Sequence, residues 1–218
     1  MLLKELRQQV LDACLSMHKD ALAHGPQGNI SARDPQTGLV AITPTAIPYE
    51  EMTAEDVCVI DLNCKMVEGK WKTTSETPLH MVFYRRRADV MAVVHCHAPY
   101  SSVFAIMNEP LPMALAEGAM AIGGPVPVAP YRRPGSEELA DVTADTLGQG
   151  TSAFMAQHGL IAVGTDLASA YFTTLGVEMT ARLVLMARSA GGHEMVLPQD
   201  EVDAVRKHYL ATYKRSKA

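Results

Sequence analysis

Cysteine is scarce: the 218 residues hold four, Cys14, Cys58, Cys64 and Cys96, and none belongs to a C-x-x-C pair. That count excludes a disulfide scaffold, and the thiols read as free groups in a reducing compartment. Long apolar runs are missing as well. The stretches around 90–108 and 113–131 are interrupted by His, Glu, Gly and Pro, and fall short of the roughly 18 apolar residues that a bilayer-spanning helix needs. Lys4, Glu5 and Arg7 leave no place for the apolar core of a secretion signal, so a cytoplasmic location is expected. Nor is there a concentrated positive field. With 19 basic against 24 acidic side chains and a net charge of −5, the chain carries no footprint for nucleic acid or a membrane surface, which leaves small molecules as expected partners. What is plentiful is apolar material, 48% of the residues, enough to bury a sizeable core and to exclude disorder as the main state.

Periodicity predicts the elements. Leu3, Leu6, Val10, Cys14, Met17 and Ala21 recur at three- and four-residue steps, so 2–24 reads as an amphipathic helix stopped by Gly25. Short strands follow at 29–33 and 39–43, joined by Asp34-Pro35-Gln36-Thr37-Gly38, then a second hairpin at 57–62 and 65–67. Pro78 opens a helix to Arg86, with Thr74 and Ser75 as candidate caps. A buried strand at 90–97 precedes a short helix at 99–107 and a strand at 126–130. Ser136 caps a helix to Leu147, and short strands at 154–157 and 160–163 flank His158-Gly159. Helices at 166–190 and 198–213 end the chain. The expectation is one mixed α/β domain over 1–218, a mostly antiparallel central sheet flanked by helices.

Within that frame a few residues carry chemistry. His95 and His97 stand two apart at a strand end, where period two sends both imidazoles to one face and Cys96 to the other. Two imidazoles so placed are a chelating pair for a borderline metal such as zinc, or simply a polar strand edge. His158, at a tight point between apolar runs, is a third candidate. Three histidines would leave a four-coordinate ion one open position, as a catalytic site requires. Glu76, at a helix start, is either a dipole-favoured first-turn acid or a base beside an anion site made by Thr74, Ser75 and the helix N–H groups. Gly28-Asn29-Ile30-Ser31 and Thr43-Pro44-Thr45-Ala46 are turns able to approach an anion.

Taken in order, Gly28-Asn29-Ile30-Ser31, Thr43-Pro44-Thr45, Thr74-Ser75-Glu76, His95-Cys96-His97 and His158-Gly159-Leu160-Ile161 resemble the successive signatures of the zinc-dependent class II aldolase/adducin family, across roughly 28–213. The resemblance implies zinc, or Mn²⁺ or Co²⁺, on His95, His97 and His158, with Glu76 at or beside the fourth position. It also implies a substrate phosphate held by Asn29, Thr43, Thr45, Thr74 and Ser75, with Gly28 allowing close approach. Ala46 stands where the family's loop usually has glycine, and Thr73 where it usually has proline. Glu76, rather than the aspartate of the family's epimerases, implies reversible cleavage of a phosphorylated ketose to dihydroxyacetone phosphate and an aldehyde. Proton transfer by Glu76 would call for a carboxylate of raised pKa. Tyr213, or Glu117 in the place of a family tyrosine, would serve the aldehyde oxygen from a neighbouring chain of a homotetramer; Tyr209 is the competitor to Tyr213. Epimerisation of a ribulose 5-phosphate, dehydration of methylthioribulose 1-phosphate and a non-catalytic adducin-like interaction module are the alternatives.

Overall fold

Strands apolar on both faces must be covered on both sides. The computed structural model, which describes residues 1–25 and 27–212, shows how this is done. Its strands are β1 (Asn29–Arg33), β2 (Val40–Ile42), β3 (Cys58–Ile60), β4 (Met66–Glu68), β5 (Ala92–Cys96), β6 (Val128–Ala129), β7 (Ser152–Met155) and β8 (Gly159–Gly164). They form one eight-stranded sheet in the order β4-β3-β2-β1-β5-β8-β7-β6. Every neighbouring pair is antiparallel except β6 and β7. The helices are α1 (Lys4–Lys19), α2 (Thr77–Arg86), α3 (Pro99–Met107), α4 (Ala116–Ala121), α5 (Glu137–Leu147), α6 (Leu167–Ser189) and α7 (Gln199–Thr212).

Alternation sorts the side chains into two cores. Ile30, Ala32, Val94, Cys96 and Leu160 join the layer under α1, α3 and α6. Val40, Ile42, Val93, Ile161 and Val163 join the layer containing Leu79, Val82 and Phe83 of α2 and Leu139 and Ala140 of α5. Residues one step out of phase with the first set, Asn29, Ser31 and His95, therefore face α2. The β1–β5 register pairs Asn29 with His95 and Ser31 with Val93, which brings these polar residues onto one patch of that face.

Sequence expectations hold best where a local signal is strong. Ser136 caps α5 by accepting from the Leu139 N–H, and Asp166 and Ser169 form a reciprocal box at the start of α6. The first helix is shorter than expected: it ends at Lys19, because Ala21 takes a left-handed φ of 55° and turns Leu22 and Ala23 back into the core. The strand expected at 154–157 is in fact Ser152–Met155, since Gln157 is left-handed (φ 57°) and belongs to the turn. α4 was not foreseen, because Ala-Glu-Gly-Ala-Met-Ala has little amphipathic signal; its burial against α6 and α7 stabilises it instead. Glu76, rather than Thr74 or Ser75, occupies the cap position of α2, yet its carboxylate makes no capping bond. No helix among the described residues is long and apolar enough to cross a membrane. Cys14, Cys58, Cys64 and Cys96 are all free.

Candidate active site

The carboxylate that declines to cap α2 points across the sheet edge to a cluster of imidazoles. His95 ends β5, His97 follows it, and His158 sits in the turn between β7 and β8. Their ligand nitrogens all lie within 4.8 Å of one another, and the ring centroids are 4.8–5.2 Å apart. His95 Nε2 is 3.0 Å from His97 Nε2 and 2.9 Å from Glu76 Oε2, while His158 Nε2 is 3.2 Å from Glu76 Oε1. The backbone leaves no slack around this cluster. A methyl group at Gly159 would stand 2.5 Å from the Cys96 carbonyl oxygen, 3.1 Å from the His97 ring and 3.2 Å from the His95 ring. Gly28, at φ 80°, is similarly pressed on the carbonyl of His95, 2.7 Å from where its Cβ would be.

Two observations bear on whether a metal ion fits. Nitrogens bound to one tetrahedral zinc at about 2.0–2.1 Å lie roughly 3.4 Å apart, close to the His95–His97 spacing. The Nδ1–H of His95 donates to the Leu160 carbonyl at 2.8 Å, which turns Nε2 toward the cluster as second-sphere bonds to metal-bound histidines do. Glu76 Oε1 and His158 Nδ1 are buried without hydrogen-bond partners, although Oε1 comes within 3.2 Å of His158 Nε2. The donor set fits a divalent ion.

Charge is distributed to match. Burial opposes ionisation of Glu76, but the charge of His95, its hydrogen bond, the nearness of the His158 ring and a 3.2 Å bond from Asn29 Nδ2 outweigh it and hold the carboxyl well below the usual range. A carboxylate of raised pKa was expected here; two neighbouring imidazoles, His95 and His158, and the Asn29 amide, whose positions only the fold supplies, reverse the sign. Burial also works against a charged His95, yet the Glu76 carboxylate prevails and raises its pKa. Burial and the nearness of His95 push His97 and His158 down to about 4, so both are neutral, ligand-competent imidazoles at pH 7.

The expected anion loops meet beside this cluster. The Thr74 N–H donates to the Thr43 carbonyl at 3.0 Å, Pro44 bridges to Thr73, and the Ile30 N–H donates to Thr43 Oγ1 at 3.3 Å. Thr43 and Thr74 are buried, Thr74 Oγ1 accepting from the Glu76 N–H, whereas Thr45 and Ser75 are exposed. Ala46 adopts the left-handed φ of 59° that glycine would take at no cost. Gly135 stands against the Ser75 carbonyl, 3.0 Å from where its Cβ would be, and Arg132 and Arg133, a few residues before it, are exposed.

Behind the carboxylate, Asn29 and Ser31 of the Gly28–Ser31 motif meet two residues of α2, His80 and Tyr84, that no sequence pattern had singled out. Asn29 Oδ1 is 2.5 Å from His80 Nε2, His80 Nδ1 is 2.7 Å from Ser31 Oγ, and Ser31 Oγ is 2.7 Å from the Tyr84 hydroxyl. A histidine inside a helix reads as a surface residue, yet His80 is fully buried, and only its i, i+4 relation to Tyr84 on α2 could have suggested a shared partner. Glu117 lies exposed in the first turn of α4, and no described contact within the chain joins it to the histidines. Tyr209 stacks on Phe172. Tyr213 lies outside the described residues.

Comparison with known proteins agrees with this geometry. Residues 8–185 match the family described as "Class II Aldolase and Adducin N-terminal domain". The chain is 33% identical to 5-deoxy-D-ribulose 1-phosphate aldolase of Bacillus thuringiensis serovar kurstaki, covering 96% of this chain and 97% of that one. It is 30% identical to an L-ribulose-5-phosphate 4-epimerase of Salmonella paratyphi B, covering 95% of each. A solved L-fuculose 1-phosphate aldolase superposes with a TM-score of 0.90 at 30% identity, over 94% of this chain and 96% of that one. The chain belongs to the class II aldolase and adducin family, and within it to the enzymes of aldolase type.

Proposed function

We propose that this enzyme reversibly cleaves a ketose 1-phosphate to dihydroxyacetone phosphate and an aldehyde, with a divalent ion, zinc for preference and Mn²⁺ or Co²⁺ as alternatives, on His95, His97 and His158. The observation that carries the reading is the Glu76 carboxyl group 2.9 and 3.2 Å from two of the three imidazoles. When bound, such an ion polarises the substrate's carbonyl and neighbouring hydroxyl oxygens as a Lewis acid, worth several kcal/mol at the transition state. Glu76 is the acid/base at the carbon next to that carbonyl, giving the carbon a proton in cleavage and removing it in synthesis. Asn29 holds Glu76 through its Nδ2 donor. The exposed hydroxyls of Thr45 and Ser75 and the N–H groups at the start of α2 receive the phosphate, with Thr43, Thr74 and Gly28 shaping the loops and Arg132 and Arg133 adding positive charge at the rim. Binding of that phosphate orients the reacting carbons.

The aldehyde oxygen falls to an acid from a second copy, Glu117 or Tyr213. Assembly as a homotetramer is supported by Phe172, Leu175, Met179, Leu183 and Met186, which form an exposed apolar stripe at helical spacing along α6. Free thiols fit a cytoplasmic sugar-phosphate enzyme. The epimerase relative favours one second reading, inversion of a ribulose 5-phosphate by cleavage and re-addition at the same site. Purified protein incubated with fuculose 1-phosphate, 5-deoxyribulose 1-phosphate, ribulose 5-phosphate and methylthioribulose 1-phosphate separates these. Dihydroxyacetone phosphate released from a 1-phosphate supports the aldolase. Its absence from every reaction overturns it, and inversion of ribulose 5-phosphate alone selects the epimerase.

A further inference from the structure

Among the described residues, one buried polar chain does more than the packing requires. It starts at Glu76 and runs inward through Asn29, His80 and Ser31 to Tyr84, bridging β1 and α2 beneath the candidate site. His80, Ser31 and Tyr84 are all essentially inaccessible to solvent, so each donor and acceptor must be matched within the chain. That constraint fixes a direction. Asn29 presents Nδ2–H to Glu76 Oε2 at 3.2 Å and hence its Oδ1 to His80 Nε2 at 2.5 Å. His80 must then donate from Nε2 and accept at Nδ1, the Ser31 hydroxyl must donate to that Nδ1, and Ser31 Oγ must accept from the Tyr84 hydroxyl. The backbone of Val93 closes the series at Tyr84. Every step is consistent with one polarity, and reversing any one would turn the Asn29 carbonyl oxygen toward an oxygen of the Glu76 carboxyl group in place of the Nδ2–H found there.

We infer that His80 is a positioning residue for Glu76: backed by Ser31 and Tyr84, it locks the Asn29 side-chain amide with its N–H toward the carboxylate. Glu76 Oε2 then takes the Asn29 donor on a fixed bearing, which leaves Oε1, the oxygen without a hydrogen bond, as the one to meet substrate. The catalytic half of this inference rests on the aldolase reading above; the hydrogen-bond polarity does not.

The two halves are tested separately. Nitrogen-15 NMR of histidine-labelled protein at pH 7 is expected to show His80 as the neutral Nε2–H tautomer. An Nδ1–H tautomer or a doubly protonated ring overturns the relay whatever the activity. For catalysis, the readout is exchange of the dihydroxyacetone phosphate proton with solvent, alongside metal content. His80→Leu, which removes the donor, is expected to lower kcat for exchange about tenfold to a hundredfold with KM within about threefold, the scale of a misoriented acid/base group. His80→Gln, whose amide restores a donor at the Nε2 position, recovers most of that loss and remains informative where the leucine variant is poorly folded. In an Asn29→Ala background, His80→Gln and His80→Leu become equivalent within about twofold, because His80 acts through Asn29. Additive losses, or His80→Gln as slow as His80→Leu, overturn the positioning role. No exchange by the unmodified enzyme overturns the aldolase reading itself and leaves the NMR result to decide the polarity.

Discussion

Gly159→Ala tests the steric reading of the metal-capable cluster most directly, because the expected damage follows from three distances. The new methyl would lie 2.5 Å from the Cys96 carbonyl oxygen, where ordinary contact begins near 3.4 Å, so the chain at Gly159 has to retreat by about 0.9 Å. Cys96 belongs to the β5–β8 ladder, in which it pairs with Leu160, and cannot move away without breaking that rung. The retreat therefore carries His158 with it and strains the start of β8. Overpacking of this kind costs about 1–3 kcal/mol. For a chain of this length each kcal/mol lowers Tm by about 2–4 °C, so the melting temperature of chelator-treated protein should fall by several degrees. A ligand displaced by nearly an ångström should weaken metal binding by about tenfold or more and turnover by about a hundredfold. Metal content after dialysis, calorimetric zinc titration and dihydroxyacetone phosphate release measure the three effects. A Gly159→Ala protein that melts normally but binds zinc as tightly as the parent would refute the claim that this glycine is required by the packing of the imidazoles.

Three further outcomes are expected. Ala46→Gly relieves a left-handed alanine, worth about 1 kcal/mol less the entropy glycine adds to the unfolded chain, so Tm should rise by about 1–2 °C; a fall would show that the loop conformation is otherwise enforced. Glu76→Gln keeps the shape and removes the proton carrier, so proton exchange should drop about 10²- to 10⁴-fold while binding of dihydroxyacetone phosphate persists, and an unaltered exchange rate would remove Glu76 from the mechanism. For pH, burial holds His80 at about 3 in the folded chain against 6.5 as its ordinary value. The unfolded chain therefore binds the extra proton first, and stability contributed by a neutral His80 is full above pH 6.5 and lost as pH falls toward 3, by up to about 1.4 kcal/mol per unit. Chelator-treated His80→Gln should lose stability less steeply than the parent in urea unfolding between pH 6 and 4; equal slopes would mean that His80 is not held neutral.

How much of this was legible in the sequence depends on the range of the interactions. His95 and His97 announce themselves because period two is a local rule, and Ser136 and Asp166 cap helices by local bonds. The aldolase resemblance joined His158 and Glu76 to them, though neither residue's own spacing did so. His80, Ser31 and Tyr84 were illegible for a physical reason: their meeting needs the β1–β5 register and the seat of α2 on the sheet at once. The depressed pKa of Glu76 was misjudged on the same ground: the proton-transfer role called for a raised one, and the opposing imidazoles of His95 and His158 come from two separate segments.

That dependence on register locates the parts of the site that can vary. Moving β1 by one residue against β5 would turn Asn29 and Ser31 toward α1 and bring Ile30 and Ala32 to face α2, exchanging a polar face for an apolar one. Burial of Ile30, Ala32, Val94 and Cys96 in the opposite core forbids the slip, so the same alternation that stabilises the sheet holds Asn29 opposite His95. The metal-capable cluster and its carboxylate are thus fixed by core packing. Two segments not tied to this ladder are the exposed Arg132–Arg133 loop and the helix carrying Glu117. On the aldolase reading proposed above, discrimination among aldehydes is assigned to those segments, where exposed positions can be substituted without touching the core alternation.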